Sequence, residues 1–334
     1  MSIKKLVKDI FPCAPAIYHE MQKEYRMIYN LLDRPIIILL YHRVAELETD
    51  PQMLAVSPEN FSKHMKFLKK NYDVLRFEDD WEKVKSPSVV VTFDDGYVDN
   101  LINAKPILEQ YDVSATIFVA TGNIGNNKEF WWDDVERIIL LNDHLPDTFT
   151  LCWKQKQLVF DFSSEIKKYD SYRKLHVMLK AMQSDERIQV LNILEDNLTP
   201  NVEPRTLFRT LNVEELIELD SSKNITIGGH TVTHTQLSIQ SPDMQRWEIL
   251  ESKKSLEKIL GHKITTFSYP FGGKQDYTME TVENVRKAGY IKAASNYSGQ
   301  IHAKFKNYHE YPRHLVRNWD IDRFKAEINA FWTN

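Results

Sequence analysis

Cysteine is nearly absent from this chain: Cys13 and Cys152 are the two in 334 residues, far apart and outside any Cys-x-x-Cys pattern. That spacing suggests neither a disulfide framework nor a thiolate zinc site, and it fits a reducing compartment. Long apolar runs are lacking as well. Ile36-Ile37-Ile38-Leu39-Leu40 is far too short to span a bilayer. Lys8, Asp9 and Pro12 interrupt the N-terminus before an apolar stretch of signal-peptide length can form. The expectation is a cytoplasmic protein, with the inner membrane face as its alternative station. Positive charge is not in excess either. Lys and Arg number 43 against 47 Asp and Glu, a net charge of -4, so there is no broad cationic surface for nucleic acid. No internal repeat divides the chain, and nothing in it sets an oligomeric state.

What is present is an ordinary globular composition, 42% hydrophobic and 27% charged, of a length that suits one large α/β barrel. Strand-like runs at 36–41, 88–93, 114–120, 225–229, 264–269 and 290–295 alternate with helix-like stretches at about 58–70, 98–111, 212–221, 241–260 and 277–288. Strands separated by helical connections predict a parallel sheet, and their number suits a barrel better than an open sheet. Asn212 with Glu215 three residues on, and Ser57 before Pro58, read as helix-starting caps. Residues 1–34 form an N-terminal extension in which Ile17, Met21, Tyr25, Ile28, Leu31 and Leu32 recur at near-helical spacing. The flanking charges are mixed, so this helix is expected to pack on the barrel, with peripheral membrane contact as the alternative. The barrel occupies 35–334. Within it, residues 126–211 break the alternation and predict a mostly helical insertion, in which Trp131 and Trp132 are better read as core than as a sugar-stacking platform.

The chemistry gathers at strand ends. Thr92-Phe93-Asp94-Asp95-Gly96 follows the β-branched run Val89-Val90-Val91, which places two adjacent carboxylates where a buried strand enters a turn. Like charges this close resist joint ionisation unless a cation, a proton or a basic partner intervenes. His230-Thr231-Val232-Thr233-His234 follows another strand. Read as a helical turn, this i, i+4 pair presents both imidazoles on one face. Two neutral imidazoles and one carboxylate form a facial set for Zn²⁺ or a similar divalent ion.

These two motifs, with Phe267-Ser268-Tyr269-Pro270-Phe271-Gly272 after them, resemble the first three motifs of the polysaccharide deacetylases, the NodB-like carbohydrate esterase family 4. The resemblance implies a distorted (β/α) barrel and metal-dependent removal of N-acetyl, sometimes O-acetyl, groups from sugars. It implies a metal, zinc first with cobalt, manganese or nickel as alternatives, held by Asp95, His230 and His234. It makes Asp94 the general base, and it places substrate and oxyanion contacts at Tyr269, Pro270 and Phe271, with the Phe271 amide as oxyanion donor.

Two departures shape the reading. No Leu-x-His strand follows residue 290; instead 36–41 ends in His42. This resembles the circularly permuted poly-N-acetylglucosamine deacetylase branch, in which the first strand supplies the general acid, so His42 is expected in that role, with His314 as its rival. Many relatives also carry an arginine where Ser268 stands. Arg313, in Tyr311-Pro312-Arg313-His314-Leu315, is the expected replacement, and Arg317 is expected to be a surface ion pair. The remaining histidines are expected to be surface or core residues. The leading expectation is an N-deacetylase acting on an amino sugar of a glycan or glycolipid during cell-surface polysaccharide synthesis. Hydrolysis of a small amide or ester, and an inactive carbohydrate-binding relative, are the alternatives, and the intact Asp94, Asp95, His230 and His234 weigh against the latter.

Overall fold

The computed structural model describes Asn30, Asp33 and residues 35–333 apart from 83, 85, 199–203 and 303–304. The helix expected over 15–34 therefore lies, but for Asn30 and Asp33, outside the described residues. The strands are β1 (Ile36–Tyr41), β2 (Arg43–Val44), β3 (Ala55–Val56), β4 (Asp73–Leu75), β5 (Ser88–Phe93), β6 (Ala115–Val119), β7 (Thr148–Trp153), β8 (Lys156–Asp161), β9 (Ile225–Gly229), β10 (Thr266–Ser268), β11 (Lys292–Ala294) and β12 (His314–Leu315). The helices are α1 (Pro58–Asn71), α2 (Lys105–Tyr111), α3 (Trp131–Val135), α4 (Glu165–Lys180), α5 (Ser184–Leu198), α6 (Val213–Asp220), α7 (Pro242–Leu260), α8 (Met279–Lys287) and α9 (Ile321–Thr333). None of the described helices is long and apolar enough to cross a membrane.

One curled sheet runs in the order β11-β10-β9-β6-β5-β1-β12, with β4 against the start of β5, and every pairing in it is parallel. All residues of β1 and β5 are buried, as expected of parallel strands covered on both faces, and this is why they read as unbroken apolar runs. The two ends of the sheet meet through the residues before β12. Tyr311 N–H donates to Ala293 O at 2.9 Å, and Ser295 N–H donates to Tyr311 O at 2.8 Å. The result is the expected distorted (β/α) barrel.

Helix starts follow the caps read from the sequence. Ser57 accepts from Asn60 N–H at the start of α1, and Asn212 with Glu215 forms a reciprocal capping box on α6. The helix expected over 98–111 begins instead as a wide π-wound turn, Asn100–Ala104, that tightens into α2. Strand register then levels the site. Tyr41 pairs Phe93 and Val119 pairs Gly229, so His42, Asp94 and His230 all emerge at the C-terminal end of the barrel.

The insertion contains α3, α4 and α5 around a second core that includes Trp131, Trp132, Phe160, Leu175 and Leu194. The tryptophans thus serve packing, as expected. The mostly helical expectation missed the antiparallel hairpin of β7 and β8. Its two-residue turn, Lys154-Gln155, has both φ values positive, 46° and 63°. Such turns are usually announced by Asn-Gly or Asp-Gly, and this one is not.

Candidate active site

The turn after β5 sets the first part of the site. Asp94 N–H continues the ladder by donating to Tyr41 O at 3.1 Å. Asp95 then takes φ 79° and Gly96 φ 84°. A Cβ on Gly96 would stand 2.9 Å from Val119 Cγ1, so both the left-handed backbone and the space require glycine. This sharp turn sends the two carboxylates in different directions.

Asp94 faces Arg313. The guanidinium Nη1 and Nη2 donate to its two carboxylate oxygens, each at 2.7 Å. Ser268 Oγ donates to Asp94 Oδ2 at 3.1 Å and accepts from Arg313 Nη2 at 2.8 Å, while Arg313 Nε donates to Ser295 O at 2.8 Å. Burial alone would raise the Asp94 pKa; Arg313 and His230 outweigh it and hold the carboxyl below its ordinary range. Ser268 and Arg313 thus both bind the Asp94 carboxylate and each other.

Asp95 faces the imidazoles. Its Oδ1 lies 3.4 Å from His230 Nε2 and 3.2 Å from His234 Nε2. Here too burial opposes ionisation, and the contacts with His230 and His234 reverse it and drive the carboxyl far down. One donor atom from each of Asp95, His230 and His234 lies within 4.8 Å of the others, and all three residues are buried. The structure fits a divalent cation on its own terms. His230 Nδ1 is 2.8 Å from Ser268 O, a carbonyl that can only accept, so Nδ1 carries a proton and Nε2 is the ring nitrogen that faces Asp95. Buried Asp95 Oδ1 and His230 Nε2 have no hydrogen-bond partner among the described residues, which an ion between them would supply.

The histidine pair does not sit on a helical turn, contrary to expectation. Residues 230–234 form a loop in which Thr231 has φ 65° and His234 φ 48°. The Val232 and Thr233 N–H groups donate to the Glu248 carboxylate at 2.8 and 2.9 Å instead of to helix carbonyls. Left-handed backbone at a β-branched threonine is costly, on the order of 1–3 kcal/mol, and is characteristic of functional loops held by their surroundings.

His42 is half-buried beyond β1, within electrostatic reach of Asp95, Asp94, Arg313 and His230. Asn100 Nδ2 donates to its carbonyl at 2.9 Å, and next to it Arg43 Nε donates to Asp99 at 2.9 Å. Burial pushes the His42 pKa down and the two carboxylates push it up; burial prevails.

The third motif splits. The Tyr269 ring stacks on Tyr277 at 4.1 Å and its hydroxyl donates to His309 O at 2.9 Å, so the side chain belongs to the core and does not line the site. Pro270 is buried and its carbonyl accepts from Gly272 N–H at 2.7 Å. Phe271, at φ 61°, sets its ring edge against His234 at 4.8 Å, and Lys180 Nζ stands 4.1 Å above that ring. Trp132 also meets His234, at 4.5 Å.

Comparison with known proteins bears on this geometry. The family model described as "Polysaccharide deacetylase" matches residues 82–144 and 193–292, which contain the Asp94-Asp95 turn, the histidine loop and the third motif. Those segments match a polysaccharide deacetylase domain. YxkH of Bacillus subtilis strain 168, named as a polysaccharide deacetylase, is 24% identical over 287 residues, 84% of this chain and 70% of that protein. The solved polysaccharide deacetylase BC0361 from Bacillus cereus superposes with a TM-score of 0.56 at 21% identity, covering 89% of this chain and 69% of that one. A de-N-acetylase from Aggregatibacter actinomycetemcomitans gives 0.54 at 16% identity, covering 89% and 99%. These structures share the deacetylase fold.

His42 and Arg313 lie outside the matched segments, yet β1 and β12, neighbours in the sheet, bring both to the site. His314 does not join them. Successive residues of a strand alternate in direction, so Arg313 points in and His314 points out, where it stacks on Phe331 at 4.0 Å with Nε2 3.0 Å from Gly299 O. Arg317 donates to the Gln52 carbonyl at 2.8 Å and to that of Met53, rather than forming the surface ion pair expected. Glu248 and Asn100 were missed by sequence reading because neither has a spacing that ties it to the motifs it supports.

Proposed function

We propose that this chain is a divalent-metal-dependent hydrolase that removes N-acetyl groups from an amino sugar of a glycan or glycolipid, in the synthesis of a cell-surface polysaccharide. The convergence of Asp95, His230 and His234 beside a carboxylate they do not use, Asp94, is the observation that carries this reading. Asp95, His230 and His234 would hold the ion, and two imidazoles with one carboxylate suit zinc. A bound ion would supply Lewis-acid polarisation and make water a better nucleophile at neutral pH.

The protein groups divide the remaining work. Asp94, kept anionic by Arg313 and free of the ligand set, can accept the proton of the attacking water. His42, when protonated, is the proposed proton donor to the departing nitrogen as the C–N bond breaks, and the proton that Asp94 takes from water would restore the donor for the next turnover. Phe271 N–H, presented by left-handed backbone, is the proposed donor to the developing oxyanion. The name of the de-N-acetylase neighbour favours nitrogen over oxygen as the acetyl carrier.

The test is acetate release from a panel of N-acetylated oligosaccharides and lipid-linked amino sugars, with chelator, and with Zn²⁺, Co²⁺ or Mn²⁺ restored. Release that is abolished by chelator and recovered with metal is expected. Release unaffected by complete metal removal would overturn the proposal.

A further inference from the structure

We propose that Glu248 is the positioning residue of the two-histidine loop, and that its reach rather than its charge sets how tightly the loop and Asp95 hold a divalent ion. The inference rests on the metal reading above. Glu248 projects from α7 and is fully buried. Its Oε2 accepts from Val232 N–H at 2.8 Å and from Thr233 N–H at 2.9 Å, and its Oε1 accepts from the Thr233 hydroxyl. From the other side α5 contributes Arg187, whose Nη2 donates to Thr233 O at 3.4 Å. Two of the three residues between the imidazoles, Val232 and Thr233, are therefore gripped from two helices that belong to different parts of the chain, α7 to the barrel and α5 to the insertion.

This grip is needed because the loop cannot hold its own shape. Thr231 and His234 both occupy left-handed backbone, and without Glu248 the Val232 and Thr233 amides would be left unpaired inside the protein, which favours a different loop conformation. A changed path between residues 230 and 234 alters the spacing of the two imidazoles. Groups that orient metal ligands typically change affinity by about 10–100-fold when removed.

Glutamine and aspartate separate reach from charge. Glutamine at 248 can offer the same oxygen to both amides and its NH₂ group to the Thr233 hydroxyl, with no charge. Aspartate keeps the charge but is one methylene too short to make all three contacts. The experiment uses the full chain stripped of metal, with Zn²⁺ affinity measured by competition with a chromophoric chelator and with the melting temperature of each metal-free variant. E248Q is expected to bind Zn²⁺ within about threefold of the unsubstituted chain, and E248D and E248A to bind about 10–100-fold more weakly. E248D keeps the test decisive if E248A does not fold. Wild-type affinity in E248D, or a loss in E248Q as large as in E248D, would overturn the proposal. So would a lowered melting temperature with unchanged affinity, which is a merely structural role. An unsubstituted chain that takes up no Zn²⁺ would instead overturn the metal reading itself.

Discussion

Arg313 grips Asp94 from 219 positions away in the chain, with two hydrogen bonds of 2.7 Å between side chains that are almost wholly buried. This contact explains how adjacent acids coexist at the end of β5. Asp94 is neutralised by a guanidinium and Asp95 faces two imidazoles, so the turn separates their partners as well as their directions. A bidentate guanidinium also fixes the carboxylate plane, which a lysine could not do.

Arg313→Ala is accordingly expected to leave Asp94 buried without its cation. Breaking such a pair costs about 3–5 kcal/mol, so the melting temperature should fall. The pH dependence carries the sharper signature. Arg313 lowers the Asp94 pKa, so the carboxylate stays anionic until the pH falls to its depressed folded pKa. Without Arg313 burial dominates, the pKa rises, and the acid limb of kcat/KM should move to higher pH. An unmoved acid limb in a folded variant would show that Asp94 ionisation does not limit the reaction.

Asp94→Asn keeps the shape but cannot accept a proton from water at neutral pH. Turnover should drop by ~10²–10⁴-fold while divalent-ion affinity stays near that of the unsubstituted chain, since Asp95, His230 and His234 are intact. Near-normal acetate release would make Asp94 a structural acid.

The double substitution His230→Ala, His234→Ala should abolish stoichiometric metal binding. Metal analysis of purified protein checks it, with one ion per chain expected before substitution and none after. Full occupancy in the double variant would move the metal elsewhere.

Three histidines outside the site predict acid sensitivity. Burial lowers the pKa of His64, His176 and His314 to about 4 each, against roughly 6.5 in the unfolded chain. Between those values the unfolded chain binds more protons, so stability falls as pH drops from about 6.5 towards 4. Thermal melts at pH 7 and 4.5 should show this loss, and His314→Gln should reduce it. A slope unchanged by the substitution would count against burial as the cause for His314.

The barrel was legible because parallel strands buried on both faces leave unbroken apolar runs, and the cluster of Asp95, His230 and His234 because acids and imidazoles at strand ends are hard to explain otherwise. Arg313 was legible through the missing arginine at Ser268 and the Pro312-Arg313-His314-Leu315 stretch, signals that depend on knowing what the third motif and the last strand of the permuted branch usually carry. The loop path between His230 and His234 was not legible. Its left-handed residues are ordinary threonine and histidine, and the carboxylate that replaces helix carbonyls comes from a later helix. The core placement of Tyr269 was equally hidden, since its partners Tyr277 and His309 come from segments with no local pattern linking them.

The order of strands in the sheet yields the last prediction. Parallel pairing of β1 with β5 puts His42 beside Asp94, whereas β12 offers Arg313 to the site and turns His314 towards Phe331. His42→Ala should therefore lower turnover with little change in metal affinity, because the ligand set does not include it. The loss should be greatest for amide substrates with strongly basic leaving nitrogens and least for activated esters, whose leaving groups need no proton. His314→Ala should instead lower the melting temperature and spare kcat. Measuring both variants on an N-acetyl sugar and an activated acetyl ester separates the roles. A His42→Ala variant with equal losses on the two substrates would show that it orders the site without supplying the proton, and unchanged turnover on the amide would assign that proton to water.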